Sequence, residues 1–143
     1  RIYATDLSDE LLARARSGAL PLAMRRYEAR YRAAGGRRAL SDYVVTDGDR
    51  AVVRHELRRN LVFSRHDLAA SDGSFNEFHV VLSRNVARRY AGPVRERVHR
   101  VVHDSLARDG ILALGRRESL RSTGLAHRYR PLDAGAGLYR RIR

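Results

Sequence analysis

Two polar clusters in this chain each follow a short apolar run: Asp6 after Ile2-Tyr3-Ala4-Thr5, and Ser83-Arg84-Asn85 after Val80-Val81-Leu82. An apolar strand that stops at an acid and leads into a capped helix is how an α/β sheet presents a carboxylate to the ribose of a nucleotide-like ligand. Ser8 to Arg16 supplies such a helix, with Ser8 as its cap. A helix-start acid favoured by the helix dipole is the plainer reading of Asp6. A further strand, Leu61-Val62-Phe63, runs toward Asp67-Leu68, which closes it with a second acid.

The elements that must position these residues are legible as periodicities. Ile2 to Thr5 reads as a buried parallel strand, and Leu11, Leu12 and Ala15 share one face of the helix that Gly18 ends. A second helix is predicted from about Leu22 to Ala34, with Met24, Tyr27 and Tyr31 at helical spacing and Gly35-Gly36 as its stop. Tyr43 to Thr46 and Ala51 to Val53 flank Asp47-Gly48, the signature of a tight hairpin. Phe78 to Leu82 forms a strand that runs into Ser83-Arg84-Asn85. Pro93 opens a long helix with Val94, Val98, Val101, Val102 and Leu106 on one stripe, expected to end at Gly110 before a strand at Ile111 to Leu114. His127 to Leu132 and Leu138 to Ile142 read as a closing antiparallel pair.

Composition bounds the function. At 143 residues the chain suits one domain, 1–143, with a hairpin subdomain at about 41–55. There is neither a long apolar run nor a charged-then-apolar leader, so a soluble cytoplasmic protein is expected, with no membrane insertion. With no cysteine, disulfides, thiolate metal sites and cysteine nucleophiles are excluded. The formal charge of +13 invites a nucleic-acid reading. Against it, every basic residue is arginine, the arginines run from end to end, and stacking aromatics are not interleaved with them. A basic surface equally suits an acidic helical protein partner.

Taken in order, Ala4-Thr5-Asp6, Ala13-Arg14-Ala15-Arg16-Ser17-Gly18, Phe63-Ser64-Arg65-His66-Asp67-Leu68, Phe75-Asn76-Glu77-Phe78, Arg84-Asn85-Val86, and Asp109-Gly110 leading into Gly115-Arg116-Arg117-Glu118-Ser119-Leu120 carry a resemblance over nearly the whole chain. They resemble the C-terminal S-adenosylmethionine-binding domain of CheR-type chemotaxis protein-glutamate O-methyltransferases. The resemblance implies an α/β fold with a Rossmann-like class I methyltransferase sheet, N-terminally truncated so that the first strand and glycine-rich loop are missing, with a small antiparallel hairpin insertion. It implies S-adenosyl-L-methionine as cofactor and S-adenosyl-L-homocysteine as product. The partner implied is an acidic helical segment of a chemoreceptor or similar signalling protein, and the hairpin sits where some members dock a receptor tail. Residue by residue, the resemblance places Asp6 at the ribose hydroxyls, Asp67 and Leu68 at the adenine, and Arg84 and Asn85 near the methyl-transfer centre. No catalytic side chain and no metal ligand is assigned.

Departures matter too. Asp67 stands where asparagine is frequent, and a carboxylate accepts but does not donate a hydrogen bond. Arg89 stands where the family places a tyrosine beside the reacting groups, Tyr90 where it places phenylalanine, and Ser83 where cysteine is frequent. An arginine at 84 bridged to Glu118 is the structural alternative to a cofactor role. Without the central first strand, the strand at Ile2 is expected either to pair directly with that at Phe78 or to receive a strand from elsewhere, in a fragment of a longer protein or a truncated relative. A degenerate, non-catalytic binding or regulatory module is the alternative to an enzyme, and an arginine-rich nucleic-acid binder is a third reading. His99 and His103 have a spacing that can bind zinc but lack a third ligand, while Asp9-Glu10 and Asp47 with Asp49 read as a helix start and a turn. Gly135-Ala136-Gly137 reads as a hairpin connection.

Overall fold

A computed structural model describes residues 1–20, 24–47, 50–70, 77–121 and 123–143. Phe75 and Asn76 of the expected motif, the Gly48 turn with Asp49, and the expected helix start at Leu22 lie outside the described residues. The chain is α/β, with mixed sheets and four α-helices among the described residues, and divides into two compact units, Arg1–His66 and Asp67–Arg143.

In the first unit, β1 (Ile2–Asp6) pairs in parallel with β5 (Leu61–Arg65), placing Asp6 opposite Arg65. Between them in sequence, α1 (Asp9–Ser17) packs against both strands. Ser8 caps α1 by accepting the Leu11 N–H at 3.3 Å, and Gly18 ends it in the left-handed conformation that favours glycine, φ 68°. Arg58 completes that end: its Nη1 donates to the carbonyls of Arg16 and Ser17, both at 3.1 Å. A side chain at residue 18 would run into Arg58. β2 (Ala19–Leu20), β3 (Val44–Asp47) and β4 (Arg50–Val53) form an antiparallel sheet in the order β2-β4-β3, so the expected hairpin gains a third strand. α2 (Met24–Ala33) ends before Gly35, and α3 (His55–Arg58) is a single turn. Tyr31 packs edge-on to Tyr43 with their hydroxyls 3.2 Å apart, a structural role.

The second unit is a four-stranded mixed sheet in the order β6-β7-β9-β8, built from β6 (Phe78–Ser83), β7 (Leu106–Leu114), β8 (Tyr129–Asp133) and β9 (Leu138–Arg141). β6 runs parallel to β7, and β9 antiparallel to both its neighbours. α4 (Gly92–Asp104), opened by Pro93, packs against β7. Val102, Leu106, Leu112, Leu114, Leu120 and Tyr129 form one core cluster. Arg141 on β9 donates through Nη1 to the carbonyls of His103 and Leu106, satisfying the end of α4 and the start of β7.

Four expectations are corrected. Gly110 does not end α4: the helix stops at Asp104, where the Ser105 hydroxyl and N–H both donate back to the Val101 carbonyl. Leu106, four residues after Val102, continues the apolar spacing but belongs to β7, where it is fully buried opposite Phe78. Gly110 lies in the irregularity that shifts the β6–β7 register between Phe78 and Val80, next to Asp109 in the left-handed region at φ 62°. Secondly, β1 is parallel but not buried, with Ile2 63% exposed, because β5 is its only strand partner among the described residues. Thirdly, of the two arrangements expected for the strand at Ile2, direct pairing with that at Phe78 does not occur, because the two belong to different sheets. Finally, Leu12 alone is buried on α1, while Leu11 is exposed, and Val94 on α4 is exposed as well.

Candidate cofactor site

Asp6 belongs to the first unit, at the carboxyl end of β1. Its Oδ1 accepts the Ser8 N–H at 2.9 Å, so the residue before the helix is tied to the carboxylate and the helix cap at once. Oδ2 has no hydrogen-bond partner among the described residues, and the side chain is exposed. The dipole reading of Asp6 and a ligand role are therefore compatible: one oxygen holds the turn and the other stays open. The neighbouring strand end is fastened by the His66 N–H, which donates to the Asp6 carbonyl at 3.0 Å.

The other four expected residues belong to the second unit. Asp67 Oδ1 accepts the N–H groups of Ala69 and Ala70, at 2.8 and 3.2 Å, in a turn that keeps Leu68 half-buried. Arg97 of α4 donates to the Ala69 carbonyl at 3.1 Å and anchors that turn. Arg84 and Asn85 follow β6 directly and are exposed, whereas Ser83 before them is buried. Asn85 holds a left-handed backbone, φ 61°, which asparagine tolerates better than most residues.

Arg84 is not bridged to Glu118. The Glu118 carboxylate instead accepts three backbone N–H groups: Oε2 takes those of Asn85 at 2.6 Å and Gly115 at 2.8 Å, and Oε1 that of Arg88 at 3.1 Å. Three amides already satisfy the acid, so the Arg84 guanidinium stays open, with no hydrogen bond or ion pair among the described residues. The side chain of Arg89, in a short 3-10 turn at Ala87–Arg89, is likewise exposed and without such a partner.

Two other features resolve differently. His99 and His103 are both buried on α4, and no group of three or more potential metal ligands occurs among the described residues. His103 Nδ1 lies 2.9 Å from the Tyr129 hydroxyl. Burial holds both imidazoles below their ordinary pKa, with the Arg141 charge adding to the effect at His103, and burial pushes the Tyr129 hydroxyl up to about 12. A cleft of about 450 Å³ in the first unit is lined by Arg16, His55, Arg58, Arg59 and Leu61-Val62-Phe63, and contains none of the expected site residues.

In the first unit, the open carboxylate oxygen of Asp6 is a hydrogen-bond acceptor at the end of β1. In the second, Asp67 stands beside the half-buried Leu68. Arg84 and Asn85 add donors at a strand's carboxyl end, where α/β sheets bind their ligands.

The family model described as "CheR methyltransferase, SAM binding domain" matches residues 1–134. This chain belongs to that family, and S-adenosylmethionine is its cofactor. Among curated proteins it is 36% identical over 141 residues to "Putative methyltransferase Cher3" of Pseudomonas putida, covering 98% of this chain and 51% of that protein. It is also 33% identical over 81 residues to an uncharacterised 104.1 kDa protein of Rhodobacter capsulatus, covering 57% of this chain and 8% of that protein. The chain thus spans about half the length of the first of these relatives and a small part of the second. No helix among the described residues is long and apolar enough to cross a membrane.

Proposed function

We propose that this domain is the cofactor-binding part of an enzyme that methylates glutamate side chains on a chemoreceptor-like signalling protein. The observation that carries the reading is the match of residues 1–134 to the CheR family, in a chain where Asp6 at the end of β1 and Arg84-Asn85 after β6 are exposed. When bound, the cofactor supplies a methyl group on a sulfonium, which a carboxylate oxygen can take in an in-line displacement while the C–S electron pair returns to sulfur.

Such a transfer asks of the protein alignment and charge placement more than proton transfer. Asp6 would hold the ribose hydroxyls, Asp67 and Leu68 the adenine, and Arg84 and Asn85 the far end of the cofactor. Arg89, which is open, would attract the acceptor carboxylate. The net charge of +13 suits an acidic helical segment as the acceptor, and the three-stranded β2-β4-β3 sheet is where a receptor tail would dock.

A second reading, a non-catalytic relative, is favoured by Arg89, because a cation by the reacting groups would also oppose a sulfonium. One experiment separates the two. The full-length protein should bind S-adenosylhomocysteine by titration calorimetry, Asp6→Ala should weaken that binding tenfold or more, and an acidic receptor helix should gain methyl esters that base releases as methanol. Cofactor binding without any methyl transfer would leave the binding module, and no binding would sink both the enzyme and the assigned site.

A further inference from the structure

Glu118 sits three residues beyond the end of β7's loop glycine, Gly115, and is only half-buried, yet both of its carboxylate oxygens are occupied by main-chain amides. Two of those amides, Asn85 and Arg88, come from the segment after β6, and the third, Gly115, from the segment after β7. The Glu118 N–H in turn donates to the Gly115 carbonyl at 2.8 Å, closing the turn that brings the carboxylate back over the strand end. The two segments are connected at the carboxyl edge of the parallel β6–β7 pair by one negative charge.

The fit around that charge is close. A Cβ added at Gly115 would lie 2.5 Å from Asn85 Oδ1, 2.9 Å from Asn85 N and 2.9 Å from Glu118 Oε2. Asn85 therefore leans on a glycine while its N–H is drawn into the carboxylate, and its left-handed backbone, φ 61°, is fixed from both sides. Reversing that φ would redirect the exposed Arg84 and Asn85 side chains. Amide–carboxylate bonds are charge-assisted, stronger than neutral ones, and hold this strained conformation without using either side chain.

We infer that Glu118 is a positioning residue: its carboxylate clamps the backbone of Asn85, Arg88 and Gly115 and thereby presents Arg84 and Asn85 to S-adenosylmethionine. The inference rests on the assignment of Arg84 and Asn85 to the cofactor. It explains why Arg84 has no acid of its own, since the one carboxylate nearby is committed to amides and leaves the guanidinium for a ligand.

Glu118→Gln tests it, because the amide keeps the size of the side chain while replacing one acceptor oxygen with a donor that faces a main-chain N–H. In the full-length protein, well below its melting temperature, E118Q should raise the dissociation constant of S-adenosylhomocysteine tenfold or more. The amide proton resonances of Asn85, Arg88 and Gly115 should move upfield together as the carboxylate is lost. In the background of Arg84→Ala with Asn85→Ala, adding E118Q should change affinity less than twofold, since the clamp acts through those residues.

Wild-type affinity in a folded E118Q whose three amides have shifted would overturn the positioning role and leave Glu118 a stabiliser of the loop. A loss of affinity that is fully additive with the double substitution would overturn it too. If E118Q fails to fold, Gly115→Ala, which keeps the carboxylate but pushes Asn85 away, must give the same loss. An unchanged affinity there would also overturn the inference. If Arg84→Ala with Asn85→Ala leaves wild-type affinity intact, the fault lies in the cofactor assignment, and the amide shifts of E118Q still report whether the clamp exists.

Discussion

The two units of this chain are held together by different forces. The second buries Val98, Val101, Val102, Leu106, Leu112, Leu114 and Leu120 around a central strand, whereas the first buries, among the described residues, only Leu12 and Ala51 on its apolar side. In their place the first unit relies on polar links. Arg58 donates to the end of α1, Arg16 Nη2 donates to the Phe63 carbonyl at 3.1 Å, and Glu28 accepts the Leu40 N–H at 2.7 Å while pairing with Arg32 at 2.8 Å. These bonds hold the Glu28 carboxyl below its ordinary pKa. Apolar burial stabilises in proportion to area, at roughly 25 cal/mol per Å², while a hydrogen bond adds about 1 kcal/mol net. The second unit should thus be sensitive to lost methylenes and the first to lost caps and cations. The same contrast marks the two strand ends: the Asp6 turn hangs on one side-chain bond, the Asn85 turn on three.

The largest expected effect is in the core of the second unit. Leu114 is fully buried on β7 and belongs to the cluster with Leu106 and Tyr129, so Leu114→Ala should cost about 2–5 kcal/mol. Its counterpart in the first unit, Leu11→Ala on an exposed face of α1, should change stability by no more than about 0.5 kcal/mol. Urea unfolding of the full-length protein measures both, and equal costs at the two sites would break the contrast.

Acid should act through the second unit next. His103 is fully buried, its Nε2 has no hydrogen-bond partner among the described residues, and Nδ1 meets the Tyr129 hydroxyl, while His99 is buried four residues earlier. Desolvation depresses both folded pKa values below 6.5, so the unfolded chain binds protons first as pH falls. The stability these neutral imidazoles confer is complete above about pH 6.5 and drains as pH drops through the lower folded values. Melting temperatures at pH 7.5, 6.0 and 5.0 should decline in that order. His103→Gln should flatten part of the slope, and an unchanged slope would assign the acid sensitivity to other groups. Tyr129, pushed up to about 12, stays protonated across that range.

Part of each unit could be read locally. Ser8 before α1, Gly18 after it, Gly35 beyond α2, and the antiparallel pairing of β8 with β9 are each set by residues within a few positions of one another. Asp6 was legible for the same reason, as an acid where an apolar run meets a helix cap. What stayed hidden depends on partners far along the chain. Arg58 reaches Ser17 across 41 residues, and Glu118 reaches Asn85 across 33, so no spacing rule exposes either bond. In the sequence Glu118 stood within the Gly115 to Leu120 motif and as the partner of Arg84 in the structural alternative, while three main-chain amides make the stronger claim on it. Gly110 misled because glycine both ends helices and relieves bulges, and only the pairing of Phe78 with Leu106 decides between them.

The smallest effect is the sharpest probe of whether the two units behave separately. Ser8 Oγ caps α1 through the Leu11 N–H, and the Ser8 N–H independently holds Asp6 Oδ1. Ser8→Ala removes the first bond and keeps the second, so it should loosen the helix start by about 1 kcal/mol while leaving the Asp6 turn in place. By hydrogen exchange, the amides of Leu11 and Leu12 should exchange about fivefold faster, the factor that 1 kcal/mol represents, and those of β7 should not change. Equal acceleration in β7 would mean that the units open as one cooperative block. The paucity of buried apolar residues around α1 would then say nothing about local stability, because the core of Leu106, Leu112 and Leu114 would be stabilising the Asp6 turn as well.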